Sequence, residues 1–378
     1  MSQLSHTIVA QHDVRSRLAR LVAEDRVPHA MLISGPEGCG KLAIALELAR
    51  ALLCHHPVDG HACDECPACK MSDKWVHPDL HFVFPIIKPA GSSAEVTSDY
   101  YLSQWRELLR RTPYFDRQDW LTEMGVGNQQ SQIPVAESDS ILRKLSLTAS
   151  QGGAKVMLVW LPEQMNLQTA NKLLKVLEEP PRGTYFLLVS EQPDALLPTI
   201  LSRTQLTRIP PLRADEIARA LVEVQGLQGE DARQVARQSG GNYIAALRQI
   251  TVNADAGLFF DMFVLLMRLS YMRDIKGIRS WADDVAEWGR ERQKNFLTYA
   301  LRMVRENFVY NFRLPELNYM NRQEADFAVR FARFINEGNV IPMADTIEQA
   351  MRDVGQNVNP RMVFFDFGLQ MIVLLVQR

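Results

Sequence analysis

The chain lacks an excess of charge of either sign. Its 42 lysines and arginines against 44 aspartates and glutamates leave a formal net charge of -2. That excludes a surface coated in basic groups, so any nucleic-acid contact is expected to be local, at a patch or at helix N-termini. Long apolar runs are missing too. The most apolar stretch, FFDFGLQMIVLLVQR, is interrupted by Asp366, Gly368 and Gln370. It falls short of about 18 apolar residues and reads as a buried helix rather than a membrane span. The opening MSQLSHTIVAQHDVRSRLARLV has no charged-then-apolar signal pattern. A cytoplasmic protein with no membrane partner is expected, and in a reducing compartment clustered cysteines favour metal over disulfides.

A third absence sits inside a motif. ISGPEGCGKLAIALELAR (33–50) carries Gly35, Gly38, Gly40 and Lys41 in the order of a phosphate-binding loop. Such a loop aims backbone N–H groups and a lysine at the phosphates from a helix N-terminus. The next position should offer a hydroxyl to Mg²⁺, and here it is Leu42. A second metal-holding carboxylate is expected at the end of a neighbouring strand. KVMLVW (155–160) ends instead in Trp160-Leu161, with the next acid, Glu163, beyond Pro162. Two linked metal-handling positions are thus apolar, which reads as lost catalysis. Backbone amides do not need Leu42, so binding of ATP or Mg²⁺ at this loop stays open.

What is present organises the rest. AMLISG (30–35), KVMLVW and TYFLLVS (184–190) are continuous apolar runs, as expected of strands buried on both faces of a parallel sheet. NLQTANKLLKVLEEPP between the last two predicts a helix capped by Asn166 and stopped at Pro180-Pro181. Glu178-Glu179 then close a helix rather than serve as catalytic carboxylates. Strands alternating with helices give an α/β domain over 1–208. Short helices suggest a lid over 209–254, and only helical patterns follow over 255–378. In WADDVAEWGRERQKNFLTYALRMVRENFVYNF, residues Trp281, Val285, Trp288, Phe296, Ala300 and Met303 fall near one face.

Four of the five cysteines, Cys54, Cys63, Cys66 and Cys69, read C-x8-C-x2-C-x2-C. Thiolates at these separations can surround one Zn²⁺, with Asp59-Gly60 turning the chain back, and four sulfurs make a closed, structural site. Disulfide pairing, or replacement of one sulfur by His55, His56 or His61, are the alternatives. Residues 88–133 look like an insertion: a loop-like start, an amphipathic helix with Leu102, Trp105, Leu108 and Leu109, and a Gly/Asn/Gln-rich end. It reads first as a surface addition packed on the domain, and second as a partner-docking site.

The loop followed by the cysteine insert, HPDL (77–80), GGAKV (152–156), ANKLLKVLEEPP (170–181) and LLPTILSRT (196–204) together resemble the bacterial clamp-loader subunits of the DNA polymerase III holoenzyme, which are AAA+ proteins. The resemblance spans most of residues 8–250 and implies an AAA+ P-loop domain with a zinc insert, a helical lid and an all-helical collar. Two members share these features, an ATP-hydrolysing motor and the delta-prime subunit. The motor has Lys-Thr in the loop, Asp-Glu on the strand and a lid arginine in a Gly-Ser-Met-Arg-like stretch. This chain has Lys41-Leu42, Trp160-Leu161 and Gly241-Asn242-Tyr243-Ile244. The family's Ser-Arg-Cys motif survives as Ser202-Arg203-Thr204, whose arginine in the family reaches in trans into a neighbour's ATP site.

Groups serving this chain's own nucleotide are therefore gone while one serving a neighbour's remains. The resemblance implies a non-hydrolysing, delta-prime-like subunit that joins motor subunits and a clamp-opening subunit and helps load the sliding clamp on primed DNA. Ser190 matches the family's sensor-one position, with a serine capping the next turn as the competing reading. Arg143 and Lys144 are candidates for backbone contacts to DNA, which a solvated helix face explains equally well. An active AAA+ motor with unusual residues around Lys41 and a zinc-dependent DNA-binding module are the alternative functions.

Overall fold

In the computed structural model, residues 8–89, 95–125, 131–150, 153–313, 320–356 and 358–376 are described. The MSQLSHT start, the beginning of the 88–133 insertion's loop and most of its Gly/Asn/Gln-rich end lie outside them. The chain divides into two compact units, Met1–Arg248 and Gln249–Arg378, with the division falling inside the helix Tyr243–Met272.

The first unit is built on five parallel strands: β1 Ala30–Ser34, β2 Leu80–Val83, β3 Lys155–Trp160, β4 Thr184–Ser190 and β5 Gln205–Arg208, in the order β2-β3-β4-β1-β5. Every residue of β1 and β3 is buried, which is why these segments carry apolar residues on both faces rather than alternating. The register sets Ile33 beside Val189, Ser34 beside Ser190 and Trp160 beside Val189. The C-terminal ends of β1, β3 and β4 thus meet at one edge, where ligands bind in open α/β sheets. The helix Leu167–Glu178 starts as expected, with the Asn166 side chain accepting the Thr169 N–H at 2.8 Å. It ends at the residue before Glu179, ahead of the two prolines.

The insertion is not a surface addition. Its helix Leu102–Arg111 buries Trp105, Leu108 and Leu109, and a second helix, Arg117–Glu123, buries Trp120. Trp105 stacks on Phe84 with centroids 4.3 Å apart and meets Trp120 edge-on at 5.1 Å. Trp120 donates its indole N–H to the Pro85 carbonyl at 2.8 Å, as a buried tryptophan needs. These side chains extend the domain's own core by packing on Phe82, Phe84 and Trp160.

The second unit is all helical. The pattern from Trp281 onward lies on two helices, Ile275–Ala286 and Arg290–Tyr310. Between them the Gln293 side-chain amide donates to the carbonyls of Val285, Ala286 and Trp288, satisfying groups left open where the first helix ends. Trp281, Val285, Phe296, Ala300 and Met303 are buried, and Trp288 is partly so. The apolar C-terminal stretch is the helix Pro360–Val376, which buries Phe364, Phe367 and Met371 in the same core. Among the described residues, no single helix is long and apolar enough to cross a membrane.

Candidate functional site

The phosphate loop sits between β1 and the helix Lys41–Leu53. Gly40 caps that helix at φ 90°, a backbone conformation that only glycine adopts without strain. The Gly35 N–H donates to the Ser190 carbonyl at 3.3 Å, tying the loop to the end of β4. Gly35, Gly38, Gly40, Lys41 and Ser190 are thereby brought to one place. The Ser190 hydroxyl is buried and has no hydrogen-bond partner among the described residues, so it does not cap the following turn.

Lys41 points inward. Its side chain is 6% exposed, and its ammonium donates to Glu191 Oε1 at 2.9 Å and to the Pro36 carbonyl at 3.2 Å. A buried cation needs such a partner, and here the partner comes from the chain itself. Glu163, the acid beyond β3, accepts the backbone N–H groups of Glu191 and Gln192 at 2.9 and 3.3 Å. It holds the turn that presents Glu191.

The two positions where the sequence led us to expect lost metal-handling groups are buried. Leu42 is 4% exposed and Trp160 2%. The Trp160 ring lies 5.2 Å from Trp105 and 5.3 Å from Phe115, both in the insertion. An aspartate at position 160 would sit among aromatic rings. Burial also pushes the Cys39 thiol up within the loop.

Tyr114 completes the surroundings. Its hydroxyl accepts the Val9 N–H at 2.8 Å, and its ring meets Tyr243 edge-on at 4.9 Å. A Cβ placed on Gly40 would lie 3.1 Å from that hydroxyl. Burial pushes the Tyr114 phenol far up, so it stays neutral. From the other side, Tyr243 donates its N–H to the Gly38 carbonyl at 3.2 Å, and the Asn242 amide donates to Glu37 at 2.9 Å. No sequence signal marked Glu191 or Tyr114. Glu191 meets Lys41 across 150 residues of chain, and Tyr114 lies in a segment with no motif.

Arg203 lies elsewhere on the same unit. It follows the short helix Pro198–Leu201, ahead of β5. Its Nε donates to Glu178 Oε1 at 2.7 Å, and its Nη1 donates to the Thr199 carbonyl at 2.8 Å. The side chain is 29% exposed and bonds to none of the loop residues named above. Lys144 pairs with Asp99 at 2.7 Å, while Arg143 is exposed.

The four cysteines form a third place. All four Sγ atoms lie within 4.8 Å of one another, with Cys54–Cys66 and Cys63–Cys69 each at 3.9 Å. A disulfide needs about 2.05 Å, whereas sulfurs about 2.3 Å from one tetrahedral ion are nearly this far apart. His55, His56 and His61 are exposed and stand outside the set. Asp59 and Gly60 make the expected turn with φ 50° and 80°. The Cys63 and Cys69 N–H groups point at Cys54 and Cys66 Sγ at 3.3 and 3.4 Å. Burial opposes ionisation of Cys66, but hydrogen bonds from the His55 and Cys69 backbone together with those from the Cys69 and Cys63 thiols outweigh it and bring the thiol down to about 7. Such N–H donors suit thiolate ligands, and the donor set fits zinc. Arg50, buried beneath, pairs with Asp64 at 3.0 Å and also with Asp73, fastening the module to the loop helix.

The family described as DNA polymerase III, delta subunit, matches residues 10–213, more than half of the chain. DNA polymerase III subunit delta' of Pseudomonas aeruginosa is 34% identical over 213 residues, 53% of this chain and 52% of that protein. The delta' subunit of Bacillus subtilis is 29% identical over 245 residues, 64% of this chain and 60% of that protein. DNA polymerase III subunit tau/gamma of Haemophilus influenzae is 30% identical over 217 residues, 57% of this chain and 25% of that protein. The matches thus span about half to three fifths of the delta' relatives' length. A gamma subunit-related protein of Thermotoga maritima is a looser structural likeness, with a TM-score of 0.35 at 14% identity, covering 95% of this chain and 100% of that one. With its parallel sheet, phosphate loop and four-cysteine cluster inside the matched region, the chain belongs to the DNA polymerase III delta-subunit family and is homologous to the bacterial delta-prime and gamma/tau subunits of the AAA+ clamp loader.

Proposed function

We propose that this chain is a non-hydrolysing, delta-prime-like clamp-loader subunit that completes a neighbouring subunit's ATP site through Arg203. The observation that carries this reading is the contrast between Lys41 and Arg203. The loop lysine is buried against Glu191, and the metal positions are Leu42 and Trp160, buried in core. The guanidinium of Arg203 is part-exposed on an edge, oriented by Glu178 and the Thr199 carbonyl. A guanidinium against a γ-phosphate offsets charge developing in the transition state. Residues 209–254 serve as the lid and 255–378 as the collar joining motor and clamp-opening subunits. The assembled ring loads the sliding clamp on primed DNA, and contacts to DNA through the ring are salt-sensitive and sequence-blind. Zinc is a structural staple and takes no part in a reaction.

Steady-state ATP hydrolysis tests this, first with the chain alone and then with motor subunits, clamp and primed DNA. No turnover alone, with an Arg203-dependent rise in the mixture, is expected. Turnover by the isolated chain that disappears in Lys41→Ala would establish a motor instead.

A further inference from the structure

A phosphate loop in an α/β ATPase holds its ligand by aiming backbone amides and a lysine at phosphate. In this chain the lysine is engaged by protein, donating to Glu191 Oε1 and to the Pro36 carbonyl. The segment Tyr114–Asp119 of the insertion lies against both the loop and the first turns of the helix Tyr243–Met272. The Tyr114 ring is wedged beside Val9, Gly40 and Tyr243, and Phe115 covers Trp160 at the end of β3.

The next residues form a socket. Asp116 and Asp119 make a reciprocal cap on the helix Arg117–Glu123: Asp116 Oδ1 accepts the Asp119 N–H at 2.9 Å, and Asp119 Oδ2 accepts the Asp116 N–H at 3.0 Å. Each carboxylate has one oxygen left over. Both of those oxygens face Arg248, at 2.7 Å from Asp116 Oδ2 and 2.9 Å from Asp119 Oδ1. One motif therefore starts a helix and grips a guanidinium, and charge-assisted bonds of this kind are the strong ones. Burial opposes charge on Arg248, but the bonds from Asp119 and Asp116 outweigh it and hold the group protonated. Arg248 lies six residues after Asn242, which itself packs so close to Gly38 that a Cβ there would fall 1.9 Å from Asn242 Oδ1.

We propose that residues 114–119 of the insertion are a built-in occupant of the phosphate-loop site, closing it to nucleotide and clamping residues 242–248 to the loop whether or not ATP is present. In this arrangement the contacts that a nucleotide would make between loop and lid are made once, during folding, by Tyr114, Phe115 and the Asp116–Arg248–Asp119 socket. The proposal goes beyond the trans role of Arg203 and does not depend on it, since every group involved belongs to this chain's own loop, insertion and lid.

Two measurements on the full, metal-replete chain test it. A fluorescent ATP analogue with Mg²⁺ is expected to show no saturable binding at millimolar concentration. Amide hydrogen exchange over residues 229–248 is expected to be slow and indifferent to ATP. Arg248→Ala removes a half-exposed side chain without opening a cavity, and should speed exchange over 229–248 by about tenfold while leaving residues 54–69 unchanged. Asp116→Asn with Asp119→Asn should do the same. Saturable analogue binding by the unaltered chain, or unchanged exchange in both variants, would overturn the proposal. Neither readout involves another subunit, so its failure is distinct from failure of the Arg203 assay.

Discussion

The phosphate loop and the Arg203 edge sit on the same parallel sheet and have opposite relations to solvent. At the loop, the lysine is 6% exposed and bound to Glu191, and tyrosine, phenylalanine and tryptophan rings fill the surroundings. At the edge, the arginine is 29% exposed and held by the Glu178 carboxylate, the Thr199 carbonyl and the Ser202 hydroxyl. A cation buried with its own counter-ion is satisfied and has little left to offer a ligand. A surface pair, by contrast, is worth little and exchanges readily for a stronger anion. The comparison teaches that one sheet can bury one cation against its own carboxylate and leave another open to solvent. The loop's glycines build the turn, while Lys41, Leu42 and Trp160 are buried.

The largest expected effect would break the comparison on its outward side. Replacing Arg203 by alanine should slow hydrolysis at the completed neighbouring site by about 10³-fold or more, read as single-site turnover in a reconstituted complex, with assembly unchanged by size-exclusion chromatography. An unaltered rate would mean the exposed arginine is a surface group. Next in size is the inward side. Trp105→Ala removes a fully buried ring that touches Phe84, Trp120 and Trp160, and should cost about 3–5 kcal/mol in urea unfolding. A loss below about 1 kcal/mol would show that the insertion is the surface addition its sequence first suggested.

Metal removal probes a region belonging to neither side. Chelation, or Cys69→Ser, should release zinc and raise protease cleavage within residues 54–69, with a loss of at least about 2 kcal/mol in stability. The ATPase rate of an already assembled complex should hold. Loss of DNA binding with assembly intact would favour a zinc-dependent DNA-binding role instead. The smallest effect sharpens the contrast. Lys41→Met should leave complex ATPase within about twofold of the starting rate, while the stranded Glu191 carboxylate costs about 1–3 kcal/mol in stability. A lysine that matters to turnover and little to stability would reverse the reading of the loop.

Much of the scaffold was legible because its signals are local. Continuous apolar runs marked β1, β3 and β4, since a sheet covered on both faces admits no polar alternation. Asn166 announced a helix because an N-cap acts within three residues. The cysteine spacing predicted the cluster because a metal module closes over a short stretch of chain. Less local features were not legible. The apolar spacing around Trp281 did not mark the break before Arg290, where Gln293 satisfies the open carbonyls. The insertion looked peripheral because its tryptophans carry no sign of which distant rings they will meet.

By itself, the amino-acid sequence determined the strand-loop-helix order, the missing hydroxyl and carboxylate at Leu42 and Trp160, the four-thiol module and the retained Ser202-Arg203. Each of these is set by residue identity over a few positions. Only the tertiary structure decided what surrounds these positions: Glu191 against Lys41, Phe115 against Trp160, Tyr114 beside Gly40, and Arg248 in the Asp116–Asp119 socket. These partners lie far apart along the chain, Lys41 and Glu191 by 150 residues. Burial and charge pairing select them only once the sheet has brought its strand ends to one edge.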